Sequence, residues 1–145
     1  MKTIRLIEHN GPEFGEWLGL REEVLRKPLG LTYSDSDIAA EADHFHLCLF
    51  FGGSIAAGLI LQPLNGVTWK MRQVAVSPRE QKKGLGRELV AFSEEFAREN
   101  GAQKMTLHAR QTAVPFYLGL DYRIEGDAFM EVGLTHFAMG KKLVP

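Results

Sequence analysis

Apolar positions along the chain recur first with period two and later at helical spacing, and this change divides the sequence into elements. Thr3–Glu8 alternates well enough for a first strand. Glu13–Lys27 places Phe14, Trp17, Leu18, Val24 and Leu25 at helical spacings and stops at Pro28. In the turn-rich stretch Leu29–Glu41, residues Ser34, Asp35 and Ser36 are suited to cap a short helix ending near Glu41. Three strand patterns follow with no helix between them: His44–Phe51, Ser54–Gln62 and Val67–Val76. Gly52-Gly53 can take the positive φ angles of a two-residue hairpin turn, and Pro63-Leu64-Asn65-Gly66 is a second turn signal. Strands joined this tightly are antiparallel neighbours, which excludes a doubly wound dinucleotide fold.

From Leu85 the period becomes helical. Leu85, Leu89, Phe92 and Phe96 are expected on one face, Glu94 and Arg98 as an i,i+4 charge pair, and Gly101 after Asn100 as the stop. Lys104–His108 reads as a strand, Thr112–Leu118 as a short helix, and Asp121–Met130 and Thr135–Lys142 as two further strands. The passage from strand Val67–Val76 through a helix to Lys104–His108 predicts a parallel pair with a right-handed crossover. There is no internal repeat and no linker. The expectation is one α+β domain over residues 1–145, on a mixed, mainly antiparallel sheet with helices on both faces and a central parallel strand–helix–strand crossover.

The third of the three strands breaks its own rule. Val67, Trp69 and Met71 are apolar at period two, yet position 73 is Gln73 and the apolar phase resumes at Val74 and Val76. A β-bulge near Arg72–Val74 explains the slip, since one extra residue returns the following side chains to the core face. A change from one-face to two-face burial at Arg72-Gln73 explains it equally well. A bulge would leave amides of Val74 or Val76 in need of a partner. Directly downstream, Ser77-Pro78-Arg79-Glu80-Gln81-Lys82-Lys83-Gly84-Leu85-Gly86-Arg87 carries the strand through a polar loop and two glycines into a helix. Helix-initial amides lack internal partners and carry partial positive charge. Gly84 and Gly86 remove side chains that would block an anion, and Lys82, Lys83 and Arg87 add full charges. The segment is neither a Walker A loop nor the dinucleotide fingerprint, in which a glycine would stand at Leu89.

Composition narrows the classes. The chain has 145 residues, 45% apolar and 24% charged, which argues against disorder. Lys plus Arg is 17 and Asp plus Glu is 18, so the charge footprint of a nucleic-acid binder is missing. Cys48 is the only cysteine, so an internal disulfide and a thiolate zinc site are both ruled out. Met1–Asn10 lacks the apolar core of a signal peptide, and Leu47–Leu61 is too short and too glycine-broken to span a bilayer. A cytoplasmic protein is expected, with no membrane and no nucleic-acid partner; a homodimer is compatible with the sequence.

With these features in place, the sequence resembles the GNAT superfamily of acyl-CoA-dependent N-acetyltransferases. Gln81-Lys82-Lys83-Gly84-Leu85-Gly86 fits that family's pyrophosphate motif, Gln/Arg-x-x-Gly-x-Gly/Ala, and Val74-Ala75-Val76-Ser77-Pro78 resembles its bulged strand and exit. Ala113-Val114-Pro115-Phe116-Tyr117-Leu118-Gly119-Leu120-Asp121-Tyr122 is similar to its A-x-x-F-Y-x-x-L-G-F/Y segment. Gly133–Met139 and Glu41–Leu47 resemble segments of one subgroup. The resemblance spans most of Glu41–Leu143. It implies acetyl-CoA as co-substrate, with a small-molecule or peptide amine as acceptor attacking the thioester directly. The amides of Val74 and Val76, with Ala75 between them, would hold the acyl carbonyl and the pantetheine arm. Those of Lys83, Gly84, Leu85, Gly86 and Arg87 would hold the pyrophosphate, beside Lys82, with Gln81 ordering the loop. Tyr117 would return a proton to the departing thiolate, with Phe116 beside it at the cofactor. Arg110 stands where the family usually has an asparagine, and could reach a CoA phosphate instead. For the general base, Glu131, His136, Glu41 and a water chain are open. A non-catalytic acyl-CoA-binding or sensor module is the rival reading, and Tyr117 separates the two because a sensor needs no acid beside the sulfur.

Other polar residues have plainer explanations. His44 and His46 share a strand face without a third ligand, so a hydrogen-bonded pair is expected rather than a metal site. Ser54 follows a Gly-Gly turn instead of sitting in a nucleophile elbow. Cys48 between Leu47 and Leu49 reads as core packing. Glu22, Glu23, Glu41 and Asp43 fit either a cationic acceptor or a solvated acidic surface.

Overall fold

The structure, a computed structural model, describes all 145 residues. Its strands are β1 (Lys2–Ile7), β2 (Phe45–Phe51), β3 (Ser54–Pro63), β4 (Thr68–Val76), β5 (Lys104–Arg110), β6 (Arg123–Ile124), β7 (Phe129–Glu131) and β8 (Leu134–Lys142). The α-helices are α1 (Phe14–Arg21), α2 (Asp35–Ala39), α3 (Leu85–Glu99) and α4 (Val114–Leu118). One mixed sheet has the order β1-β2-β3-β4-β5-β8-β6, with β7 on β8. Its pairs are antiparallel apart from β4–β5, the parallel pair expected from the crossover through α3.

The chain divides into two compact units, Met1–Gln62 with Gln73–Ser93, and Pro63–Arg72 with Glu94–Pro145. The first is built around Trp17, fully buried with Phe14, Leu20, Cys48, Ile55, Ile60 and Ala75. The indole lies so close over Gly58 of β3 that a Cβ there would stand 2.3 Å from Trp17 Cζ3. Trp17 Nε1–H donates to His46 Nδ1 at 3.1 Å, and His46 Nε2 lies 3.1 Å from the Glu41 carbonyl. The first bond fixes the tautomer: Nδ1 accepts, so Nε2 carries the hydrogen and the ring is neutral. Burial holds the His46 pKa below its ordinary value. His46 is therefore a hydrogen-bonded core histidine, and no cluster of three His, Cys, Asp or Glu side chains is placed for a metal. Burial also pushes the Cys48 thiol up to about 12, which makes it inert packing.

Local signals translate directly. Gly52 and Gly53 turn the β2–β3 hairpin at φ 64° and 84°. Ser34 caps α2, accepting from the Asp37 amide while Asp37 accepts from the Ser34 amide. Asn65 Oδ1 accepts from the amides of Val67 and Thr68. Past Arg21 the first helix continues as a π-helical turn, Glu22–Arg26, and a 3-10 turn, Lys27–Leu29, before Gly30 at φ 70° ends it.

In the second unit, Trp69 packs edge-on against Phe96 of α3, and Met105, Leu107, Met139 and Tyr122 are buried. Three expectations need correction here. The single strand Asp121–Met130 is broken into β6 and β7, with Gly126 at φ 106° between them. Arg98 pairs with Glu95, while Glu94 accepts from the Tyr122 hydroxyl at 2.8 Å and from Lys141 at 2.9 Å. A partly buried carboxylate with two donors is a better arrangement than an exposed i,i+4 pair. The α3 face is likewise shifted. Leu85, Leu89, Val90, Ser93 and Ala97 are buried, whereas Phe92 is 41% exposed.

Candidate active site

Gln73 has φ 57°, the only positive value within β4, so the strand is bulged where the apolar phase slips. In unbroken alternation Trp69, Met71 and Ala75 would share a face. Instead Trp69 packs on Phe96, while Ala75 belongs to the Trp17 core. The residues expected to return to the core, Val74 and Val76, are half-buried, and Ala75 is the buried one. The parallel register with β5 runs only from Thr68↔Lys104 to Met71↔Leu107, ending two residues before the bulge.

After β4, the Ser77 amide donates to the Ala56 carbonyl at 2.8 Å, and Pro78–Glu80 forms a 3-10 turn. Gln81 Nε2 donates to the Val76 carbonyl at 3.3 Å, tying the loop back to the strand end. Lys83 is held by Glu80 at 2.8 Å. Lys82 and Gly84 both have positive φ, 65° and 79°, and a Cβ on Gly84 would meet nothing within 4 Å. The Glu88 amide donates to the Gly84 carbonyl at 3.1 Å and closes the first turn of α3. The amides of Leu85, Gly86 and Arg87 before it therefore have no acceptor inside the helix. Alternating handedness at 82–84 and a helix start make a concave amide surface suited to a di-anion. The exposure of Gln81–Gly84 and Arg87 leaves that surface open to solvent. These residues fit the diphosphate of a CoA.

Facing the strand in the first unit is a group the sequence did not assemble. Tyr33 Oη–H donates to Gln73 Oε1 at 2.5 Å. Arg21 and Arg26 lie over the Tyr33 ring at 4.5 and 4.6 Å. Arg21 is fully buried and makes a bidentate pair with Glu41, at 2.8 and 2.6 Å. Both Glu41 oxygens are thus taken and the residue is 2% exposed, which removes it as a base.

In the second unit, Tyr117 on α4 is buried against Tyr122 and Phe116, with ring centroids 5.8 and 5.0 Å away. Burial raises the phenol above its ordinary pKa, so it remains a protonated donor at neutral pH. Phe116 is 39% exposed beside it, and Arg110 is half-buried at the end of β5, in register with His136. β8 brings the two base candidates together, with Glu131 Oε2 3.7 Å from His136 Nε2. His136 is 3% exposed and its Nδ1 lies 3.0 Å from the Leu134 carbonyl. His108, which sequence reasoning passed over, is bound more closely, its Nδ1 3.0 Å from Glu131 Oε1. Its only signal was the polar alternation Thr106, His108, Arg110 along β5.

The family described as the acetyltransferase (GNAT) domain matches residues 33–143. The chain belongs to the GNAT acetyltransferase family. It is accordingly an acyl-CoA-dependent N-acetyltransferase with acetyl-CoA as co-substrate. The acetyltransferase is 24% identical to the N-acetyltransferase YjcF of Bacillus subtilis, over 97% of its own length and 99% of the relative's. It is 35% identical to YyaT of the same organism, in a match spanning 54% of this chain and 53% of YyaT. Among solved structures, Escherichia coli ElaA superposes with a TM-score of 0.83 at 17% identity, covering 97% of this chain and 99% of ElaA. The ribosomal-protein-S18-alanine N-acetyltransferase of E. coli gives 0.82 at 19% identity, covering 100% and 96%. These likenesses agree with the GNAT fold. No helix is long and apolar enough to cross a membrane.

Proposed function

We propose that the enzyme transfers the acetyl group of acetyl-CoA to a primary amine, on a small molecule or peptide, by direct attack of the amine on the thioester. All 145 residues serve as one catalytic domain. The amides of Val74 and Val76, flanking Ala75, receive the acyl carbonyl and the pantetheine arm. Those of Lys83 through Arg87 receive the diphosphate, with Lys82 supplying charge, Gln81 bracing the loop, and Phe116 and Arg110 contributing at the cofactor. The Tyr117 hydroxyl donates its proton to the leaving sulfur, and Glu131 and His136 belong to the group that handles the amine's proton.

The observation that carries this reading is the positive-φ bulge at Gln73 followed, after one braced loop, by an open glycine at the start of α3. Thioester aminolysis needs a donor for the developing oxyanion, a neutral amine and protonation of the sulfur, and these residue types supply all three. Direct attack needs no covalent enzyme intermediate, and Cys48, buried with a raised pKa, is not suited to form one. The test is thiol release from acetyl-CoA over a panel of primary amines. Wild type is expected to release CoA with at least one amine, and Tyr117→Phe to be slower by about 10²-fold or more. If CoA raises the melting temperature but no amine elicits release, the chain is a sensor.

A further inference from the structure

We propose that His108 is the general base that takes the acceptor amine's proton, and that Glu131 is its positioning residue. The proposal rests on the acetyltransferase reading above and adds to it the identity of the base.

The placement comes from β5. His108 is the first residue beyond Leu107, where the parallel register with β4 ends. On β4 that register ends at Met71, two residues before the Gln73 bulge. The imidazole is partly exposed, with a third of its side-chain surface open, whereas that of His136 is almost wholly enclosed. Glu131 on β7 holds His108 Nδ1 at 3.0 Å, and Phe129 of the same strand packs edge-on against the ring at 4.9 Å.

The chemistry follows from which atoms can donate. Burial pushes the Glu131 pKa up, but the hydrogen bond from His108 and the nearby His108, His136 and Lys70 charges pull it below its ordinary value. An ionised carboxylate only accepts, so Nδ1 carries the hydrogen and Nε2 is the ring atom left to exchange a proton with the amine. Lys70 Nζ, 3.5 Å from the same Nδ1, cannot also donate to it. The charged groups recorded against this imidazole are Lys70 on β4 and Glu131 on β7, and Glu131 in turn lies 3.7 Å from His136 on β8. His136, 3% exposed and with Nδ1 directed to the Leu134 carbonyl, acts within this group through Glu131 and does not itself receive the amine's proton.

The step balances. As the amine nitrogen bonds the thioester carbon, one N–H proton passes to His108 Nε2. The C–S bond breaks, and the sulfur takes the Tyr117 hydroxyl proton. The imidazolium then returns its proton to water and the phenolate takes one from water, leaving an amide and free CoA.

The test measures kcat/KM against pH, with acetyl-CoA and the panel amine turned over fastest, for wild type, His108→Gln and Glu131→Gln. His108→Gln is expected to lose about 10²-fold or more and to lose the acidic limb of the profile. Its CoA-induced rise in melting temperature should match that of wild type. Glu131→Gln is expected to lose about tenfold and to shift the limb, which a merely structural carboxylate would not do. Free imidazole should restore part of the rate to His108→Gly. The proposal is overturned if His108→Gln stays within about threefold of wild type, or keeps the acidic limb. A wild type inactive with every amine overturns the acetyltransferase reading as well; an active wild type with an unaffected His108→Gln overturns this assignment alone.

Discussion

The Tyr33 hydroxyl donates a hydrogen bond to the side-chain oxygen of Gln73, the one residue of β4 with positive φ. The loop before α2 and the bulge in β4 are thereby joined by a hydrogen bond. The Tyr33 ring is itself in contact with the guanidinium groups of Arg21 and Arg26, at 4.5 and 4.6 Å.

Removing that donor should loosen the bulge without unfolding the protein. Tyr33→Phe keeps the ring contacts and is expected to cost about 1 kcal/mol by urea denaturation. The KM for acetyl-CoA should rise several-fold, with a smaller effect on kcat. Gln73→Gly keeps the backbone geometry and should leave the strand intact. Gln73→Val, branched at Cβ and held at φ 57°, should cost about 1–2 kcal/mol and weaken CoA binding.

The buried Arg21–Glu41 pair should matter to stability far more than any surface pair. Glu41→Gln leaves a guanidinium, enclosed at 0% exposure, without its counter-charge. A loss of about 3–5 kcal/mol is expected in denaturant melts. Lys104→Gln, which removes an exposed pair with Glu125, should cost less than about 1 kcal/mol.

Gly84→Ala separates backbone strain from ligand exclusion. At φ 79° the added Cβ is strained by about 1 kcal/mol, yet it meets no protein atom within 4 Å. The loss in stability should therefore be small while acetyl-CoA affinity, measured by calorimetry, falls about tenfold or more. An equal loss at both readouts would place the diphosphate elsewhere.

Stability should fall as the solution is acidified through the pH range where His46 titrates in the unfolded chain. Burial lowers the native pKa below the ordinary 6.5, so the unfolded state binds more protons in that window. The contribution is fully present above 6.5 and is lost as pH falls below it. In urea melts between pH 8 and pH 5, His46→Gln should show a shallower slope than wild type.

What could be read from the sequence was what neighbouring residues decide. The Gly52-Gly53 hairpin, the Ser34 cap and the helix stop at Gly101 are set within a few positions, and the slip at Gln73 shows in the parity of one strand. The buried face of α3 was misjudged because Phe92 outweighs Ser93 in hydrophobicity, though Ser93 is the residue enclosed. Asp121–Met130 reads as one strand because nothing in its alternation reveals that Gly126 turns the chain at φ 106°. The site's long-range pairs left no local trace. Arg21 meets Glu41 across 20 residues and His108 meets Glu131 across 23, and each partner alone resembles an ordinary surface charge. The motif names the family and its co-substrate, and the strand order was needed to bring His108, Glu131 and His136 together.

The most direct measurement is a crystal structure of the protein with bound CoA. The account predicts the diphosphate on the amides of Lys83 to Arg87 and the pantetheine amides hydrogen-bonded along Val74–Val76, with the sulfur beside the Tyr117 hydroxyl. A CoA lying away from Gly84, or a strand that straightens at Gln73 when the ligand binds, would contradict it.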